Sequence, residues 1–162
     1  MNQINHLILF AEDDENDAFL FKLAFKRAGV NHLFVVVPNG QAAIDYLSGA
    51  GTYADRSQNP LPSLVLLDLN MPRVSGLEVL KWIRSTSGVC TLISVMLSSS
   101  NQDADIHRAY LAGANGYLVK PANIEAIVEM AKAIKDYWLG QNRVTGWRAI
   151  ASAQPPAAKG PG

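Results

Sequence analysis

A single cysteine, Cys90, excludes an internal disulfide in this chain of 162 residues. Its apolar neighbours Val89 and Leu92 predict a small buried hydrophobe without chemistry. No charge excess is present either: Lys and Arg number 14, and so do Asp and Glu. The chain therefore lacks the basic field that gathers nucleic acid, and no nucleic-acid partner is expected. Nowhere do about 18 apolar residues run together, so no membrane span is expected. Met1-Asn2-Gln3-Ile4-Asn5-His6 has neither a basic region nor a long apolar one, which predicts a cytoplasmic protein. The three histidines, His6, His32 and His107, have no ligand spacing, which argues against zinc and against an internal phosphodonor histidine.

What the chain does have is apolar residues, 49% of the total, enough for one domain with a core that buries roughly two thirds of the unfolded surface. Strand-like runs, Leu7–Ala11, Leu33–Val37, Leu64–Asp68, Leu92–Leu97 and Tyr117–Val119, alternate with helical spacing near 16–29, 39–49, 75–86, 101–112 and 122–139. Five such βα units predict an α/β fold, a doubly wound parallel sheet of the flavodoxin-like type. Ser75 with Glu78 makes a capping box, Asn39 can cap the second helix and Gly29 ends the first. Ile127, Met130, Ala131, Ile134 and Trp138 make one face of the last helix. The aromatics Phe19, Phe21 and Phe25, and Tyr137 with Trp138, read as packing or interface. Residues 49–60 form an inserted polar loop before the third strand. Beyond Gly140 the periodicity is lost, and 140–162 reads as a disordered tail behind a domain over 5–139.

The chemistry gathers where strands end. The run Leu64-Val65-Leu66-Leu67 stops on Asp68; Ile8-Leu9-Phe10-Ala11 runs into Glu12-Asp13-Asp14; Tyr117-Leu118-Val119 runs into Lys120-Pro121. In a parallel sheet these groups share the carboxyl edge, where open α/β folds place their sites. Carboxylates crowded there repel one another unless a cation sits among them, and an oxygen-rich site with room for a phosphoryl group suits Mg2+. Asp68 could then accept a phosphoryl group, with Lys120 neutralising its oxygens and Ser98 hydrogen-bonding them. Singly, each part has an ordinary explanation, since strand-end acids cap helices and Lys-Pro is a common turn. Together, each in its own βα loop, they point to one site.

These residues resemble the receiver domains of two-component response regulators: Glu12-Asp13 after the first strand, Asp68 with Asn70-Met71-Pro72 after the third, Ser98 after the fourth and Lys120-Pro121 after the fifth. The resemblance implies a sheet ordered 2-1-3-4-5. It implies Asp68 as phosphoacceptor, and Glu12 and Asp13 holding Mg2+ together with the Asp68 carboxylate and the Asn70 carbonyl. Ser98 would be the switch hydroxyl, Lys120 the phosphate-binding lysine and Tyr117 the switch aromatic. The inserted loop with Ala54-Asp55-Arg56-Ser57 and Asp68-Leu69-Asn70 resembles the single-domain regulators of bacterial phytochrome histidine kinases, which implies such a kinase as partner. The expected function is phosphoryl acceptance in a phosphorelay, not turnover of a separate substrate. The alternative is a phosphatase of the haloacid-dehalogenase type with Asp68 as nucleophile, but that chemistry needs a second acid where Asn70 stands. A flavin binder would need a phosphate loop after the first strand, where this chain has acids. No output domain is expected in the tail, which predicts that the signal leaves through a surface. Asp136-Tyr137-Trp138-Leu139 and the face over 101–139 predict a homodimer, and the first helix a patch for the kinase.

Overall fold

The structure is a computed structural model that describes residues 7–30 and 33–142. Five strands form one parallel sheet: β1 (Leu7–Ala11), β2 (Leu33–Val37), β3 (Leu64–Leu67), β4 (Ser94–Ser98) and β5 (Gly116–Val119), in the order β2-β1-β3-β4-β5. Between and after them run α1 (Glu15–Arg27), α2 (Gly40–Ser48), α3 (Gly76–Ser85), α4 (Asp103–Leu111) and α5 (Ile124–Ile134). The expected fold class and strand order are both found. His6, His32 and the stretch 143–162 lie outside the described residues.

Side-chain alternation divides the central strands between two apolar layers. Ile8, Phe10, Leu64, Leu66, Val95 and Leu97 face α1 and α5, where Phe21, Phe25, Ile127, Ala131 and Ile134 meet them. Leu9, Ala11, Val65, Leu67 and Met96 face the other way, against Ala43, Tyr46 and Leu47 of α2, Val79, Leu80 and Ile83 of α3, and Ala109 of α4. Strands covered on both sides must be apolar throughout, which is why β1 and β3 are continuous hydrophobic runs. Each fully buried leucine there contributes about 2 kcal/mol. A polar group at the end of such a strand is therefore fixed in place by the core behind it.

Local signals hold closely. Ser75 and Glu78 form the reciprocal capping box of α3, Asn39 caps α2, and Gly29, at φ 75°, ends α1. The inserted loop is tightly built. Its Tyr53 ring packs 5.0 Å from that of Tyr46, and the Arg56 guanidinium donates to the carbonyls of Tyr46 (2.7 Å), Leu47 (2.7 Å) and Asn59 (3.1 Å). Arg56 thus takes the Leu47 carbonyl at the end of α2 and shares the Tyr46 carbonyl with the Gly49 amide.

One expectation needs correction. Cys90 is exposed, not buried, because Val89 and Leu92 take the inward positions of the turn before β4 and leave Cys90 outside. Its carbonyl accepts from Arg84 at 2.9 Å. The last helix is α-helical to Ile134 and continues as a π-helix over Lys135–Gln141. Within it Trp138 packs on the core beside Gly116, whereas Tyr137 remains 55% exposed. Among the described residues no helix is long and apolar enough to cross a membrane.

Candidate functional site at the carboxyl edge of the sheet

The expected residues converge. β1 delivers Glu12 into the interior, only 3% exposed, and Asp13 to the surface. Asp14 turns the chain into α1: its side chain accepts from the Asp17 amide and its own amide donates to Glu12 Oε1 at 3.0 Å. Asp68 follows β3 directly, with its amide still on the Ala11 carbonyl at 3.0 Å, so the sheet ladder holds its backbone. Its side chain is 8% exposed and accepts from the Asn70 amide at 3.3 Å. Glu12, Asp13 and Asp68 each offer a carboxylate oxygen, all within 4.8 Å of one another.

Lys120 reaches this cluster from the end of β5. Its Nζ lies 2.6 Å from Glu12 Oε2, 2.9 Å from Asp17 Oδ2 and 3.4 Å from Asp68 Oδ2, with the side chain 9% exposed. Asp17 was not among the residues the sequence singled out. Its only local sign is an acid in the first turn of α1. Ser98, fully buried at the end of β4, accepts from the Ser100 amide at 3.1 Å. Ser100 in turn donates to Asp105 of α4 at 2.5 Å, and its carbonyl accepts from the Tyr117 hydroxyl at 2.8 Å. The β4–α4 loop therefore ties the Ser98 hydroxyl, the Tyr117 ring and α4 together through one residue.

Electrostatics define what the cluster can hold. Burial pushes the Glu12 carboxyl up to about 7, opposed by the hydrogen bonds from Lys120 and from the Asp14 amide and reinforced by the Asp68 charge. Burial alone would lower the Lys120 ammonium, but its hydrogen bonds to Glu12 and Asp17 and the Asp68 charge raise it above the usual lysine range. Lysine thus stays charged, and Glu12 is the partner that titrates. One ammonium against the three clustered carboxylates leaves a negative excess in a partly dry site. Oxygen donors with that excess fit a hard divalent cation, and Glu12, Asp13 and Asp68 are the residues that would hold it.

A pH dependence follows. Cation binding needs the ionised Glu12 carboxylate, so affinity should be flat above about pH 7 and fall about tenfold per unit below it, as one proton is displaced. The cation-free fold shows the opposite sign. A carboxyl raised from 4.5 to about 7 lends stability that is fully present below the unfolded value and is lost as pH rises through about 7. Calorimetric titration with Mg2+ across this range tests the first statement; a pH-independent affinity contradicts it.

A family model described as the response regulator receiver domain matches residues 8–132. The probable methanogenesis regulatory protein FilR2 of Methanothrix harundinacea is 38% identical over 143 residues, covering 86% of this chain and 88% of FilR2. Among solved structures, the phosphorylated cyanobacterial phytochrome response regulator RcpA superposes with a TM-score of 0.79 at 34% identity, over 86% of this chain and 97% of RcpA. The Mn2+-bound form of response regulator Rcp1, a protein of Synechocystis, gives a TM-score of 0.76 at 30% identity, over 87% of this chain and 99% of that one. These matches lend the haloacid-dehalogenase alternative no support. With the acidic cluster, the strand-end aspartate and the strand-end lysine on one sheet edge, and with relatives of the same kind along most of its length, this chain belongs to the response regulator receiver domain family.

Proposed function

We propose that this protein accepts a phosphoryl group on Asp68 from the phosphohistidine of a histidine kinase of the bacterial phytochrome type. The observation that carries the reading is Lys120 Nζ standing 3.4 Å from an Asp68 carboxylate fixed at the end of a buried strand. In the step, an Asp68 carboxylate oxygen forms a bond to phosphorus as the phosphorus–nitrogen bond breaks. The imidazole leaves with the electron pair, and the product is an acyl phosphate. Lys120 balances the charge that develops on the phosphoryl oxygens. Glu12, Asp13, Asp68 and the Asn70 carbonyl would hold Mg2+, which would supply the remaining positive charge. The chain's own chemistry is limited to this acceptance and to hydrolysis of its own acyl phosphate; it turns over no separate substrate.

Signal output would start at Ser98, buried at the end of β4 next to β3, by a turn of its hydroxyl toward a phosphoryl group on Asp68. That turn gives up its bond to the Ser100 amide, loosening the loop that holds the Tyr117 hydroxyl. The surface of α4, β5 and the π-helix after α5 carries exposed apolar residues at Tyr110 (51%), Leu111 (74%), Val119 (40%) and Tyr137 (55%). We assign this face to a homodimer and the exposed Phe19 and Leu20 of α1 to the kinase. With no excess of basic residues, nucleic acid is not a partner in this reading.

Two experiments bear on it. Incubation with a small phosphodonor and Mg2+ should give acid-labile, hydroxylamine-labile phosphate on the chain, and a chelator should abolish it; uptake indifferent to chelator overturns the reading. Sedimentation at micromolar concentration should show a dimer that Tyr137→Ala weakens by about tenfold, the loss of one exposed aromatic anchor. A monomer with and without a phosphoryl mimic removes the dimer assignment.

A further inference from the structure

We propose that Asp17 is a positioning residue for the phosphoryl-transfer step, holding the Lys120 ammonium over Asp68; this rests on the phosphoacceptor reading above. Lys120 Nζ has three N–H donors. Glu12 takes one at 2.6 Å and Asp17 another at 2.9 Å, and the third is left toward Asp68 at 3.4 Å. The two anchors differ in kind. Glu12 belongs to the carboxylate trio suited to a cation, whereas Asp17 stands outside that trio, on α1. Asp17 is thus the carboxylate whose hold on Lys120 does not compete with cation binding.

Its placement is well determined. Asp17 sits in the first turn of α1 with its amide on the Asp14 side chain at 2.9 Å. Phe21 and Phe25, on the same helix, are buried against the sheet, on the face that α1 shares with α5. The lysine stem is flexible and its ammonium strongly hydrated, so a second anchor matters more for Lys than it would for a planar guanidinium. Because the Asp17 side chain is 40% exposed, its effect should be modest rather than absolute.

The competing explanation is that Asp17 merely complements the positive end of α1, a role independent of Lys120. Asp17→Asn keeps the shape and removes the charge, so folding is preserved, and Asp17→Glu restores the charge on a longer stem. With phosphoramidate as donor, Asp17→Asn should lower the phosphorylation rate about fivefold, with Asp17→Glu recovering most of it. In a Lys120→Ala background the same substitution should have no further effect. Mg2+ affinity of Asp17→Asn should stay within about twofold of the parent chain, since Asp17 is no cation ligand, while the Lys120 Nζ resonance shifts. An unchanged rate, an equal loss in the Lys120→Ala background, or a large loss of Mg2+ affinity each overturns the assignment. A parent chain that takes up no phosphate overturns the phosphoacceptor reading and this role with it. Uptake by the parent with Asp17→Asn unaffected overturns this role alone.

Discussion

Asp68→Asn is expected to lower incorporation of acid-labile phosphate by more than about a thousandfold, the scale on which an enzyme loses rate when its nucleophile is deleted. Asparagine matches aspartate in shape, and its side-chain oxygen can still accept from the Asn70 amide, so the turn after β3 should survive. What disappears is the nucleophilic carboxylate and the negative charge 3.4 Å from Lys120. The substitution also removes one contribution that raises the Glu12 carboxyl, so Glu12 should titrate lower in this variant. Stoichiometric acid-labile phosphate on a folded Asp68→Asn chain contradicts the assignment, and NMR titration of Glu12 supplies a second, independent reading of the same site.

Gly76→Ala is expected to destabilise the fold by about 3 kcal/mol or more, as forced overpacking does. At most helical positions the same change stabilises by roughly 0.5–1 kcal/mol. Here the added Cβ would stand 2.1 Å from the Asp68 carbonyl oxygen and 3.0 Å from Met96 Cε. The carbonyl is backbone, so no rotamer change relieves the contact. Either the first turn of α3, with its capping box, backs away from the sheet, or Asp68 moves. The site therefore depends on a glycine that carries no chemistry: the close approach of α3 helps define where the Asp68 backbone lies. Urea unfolding measures the effect; a variant as stable as the parent chain shows that the close approach is not needed. Phosphorylation of the folded fraction should also be slowed, since the acceptor has been displaced.

Much of this was legible in the sequence because the parallel sheet is buried on both faces. A strand such as Leu64–Leu67 must then be apolar at every position, and the first charged residue after it stands out. Glu12, Asp13, Asp68 and Lys120 were all visible in that way, and capping chemistry located Ser75 and Asn39 correctly. Asp17 was not visible, because its contact with Lys120 spans 103 positions in the chain and depends on where α1 starts relative to the residue that ends β5. The hub at Ser100 is hidden for the same reason: its partners Asp105 and Tyr117 come from α4 and β5. Cys90 was misread because apolar neighbours in sequence do not decide which residues of a turn face inward. The aromatic pair near the end divides, Trp138 to the core, as its place on the face with Ile127 and Ile134 predicts, and Tyr137 to the surface.

The central claim is that one carboxylate, Asp68, carries the phosphoryl group. The most direct measurement is borohydride reduction of the phosphorylated full chain, which converts an acyl phosphate to the alcohol, followed by peptide mass spectrometry. The account predicts reduction at Asp68 alone, dependent on Mg2+ and on the phosphodonor. Reduction at Asp13 or Glu12 instead, or phosphate that resists reduction and survives acid, would contradict it.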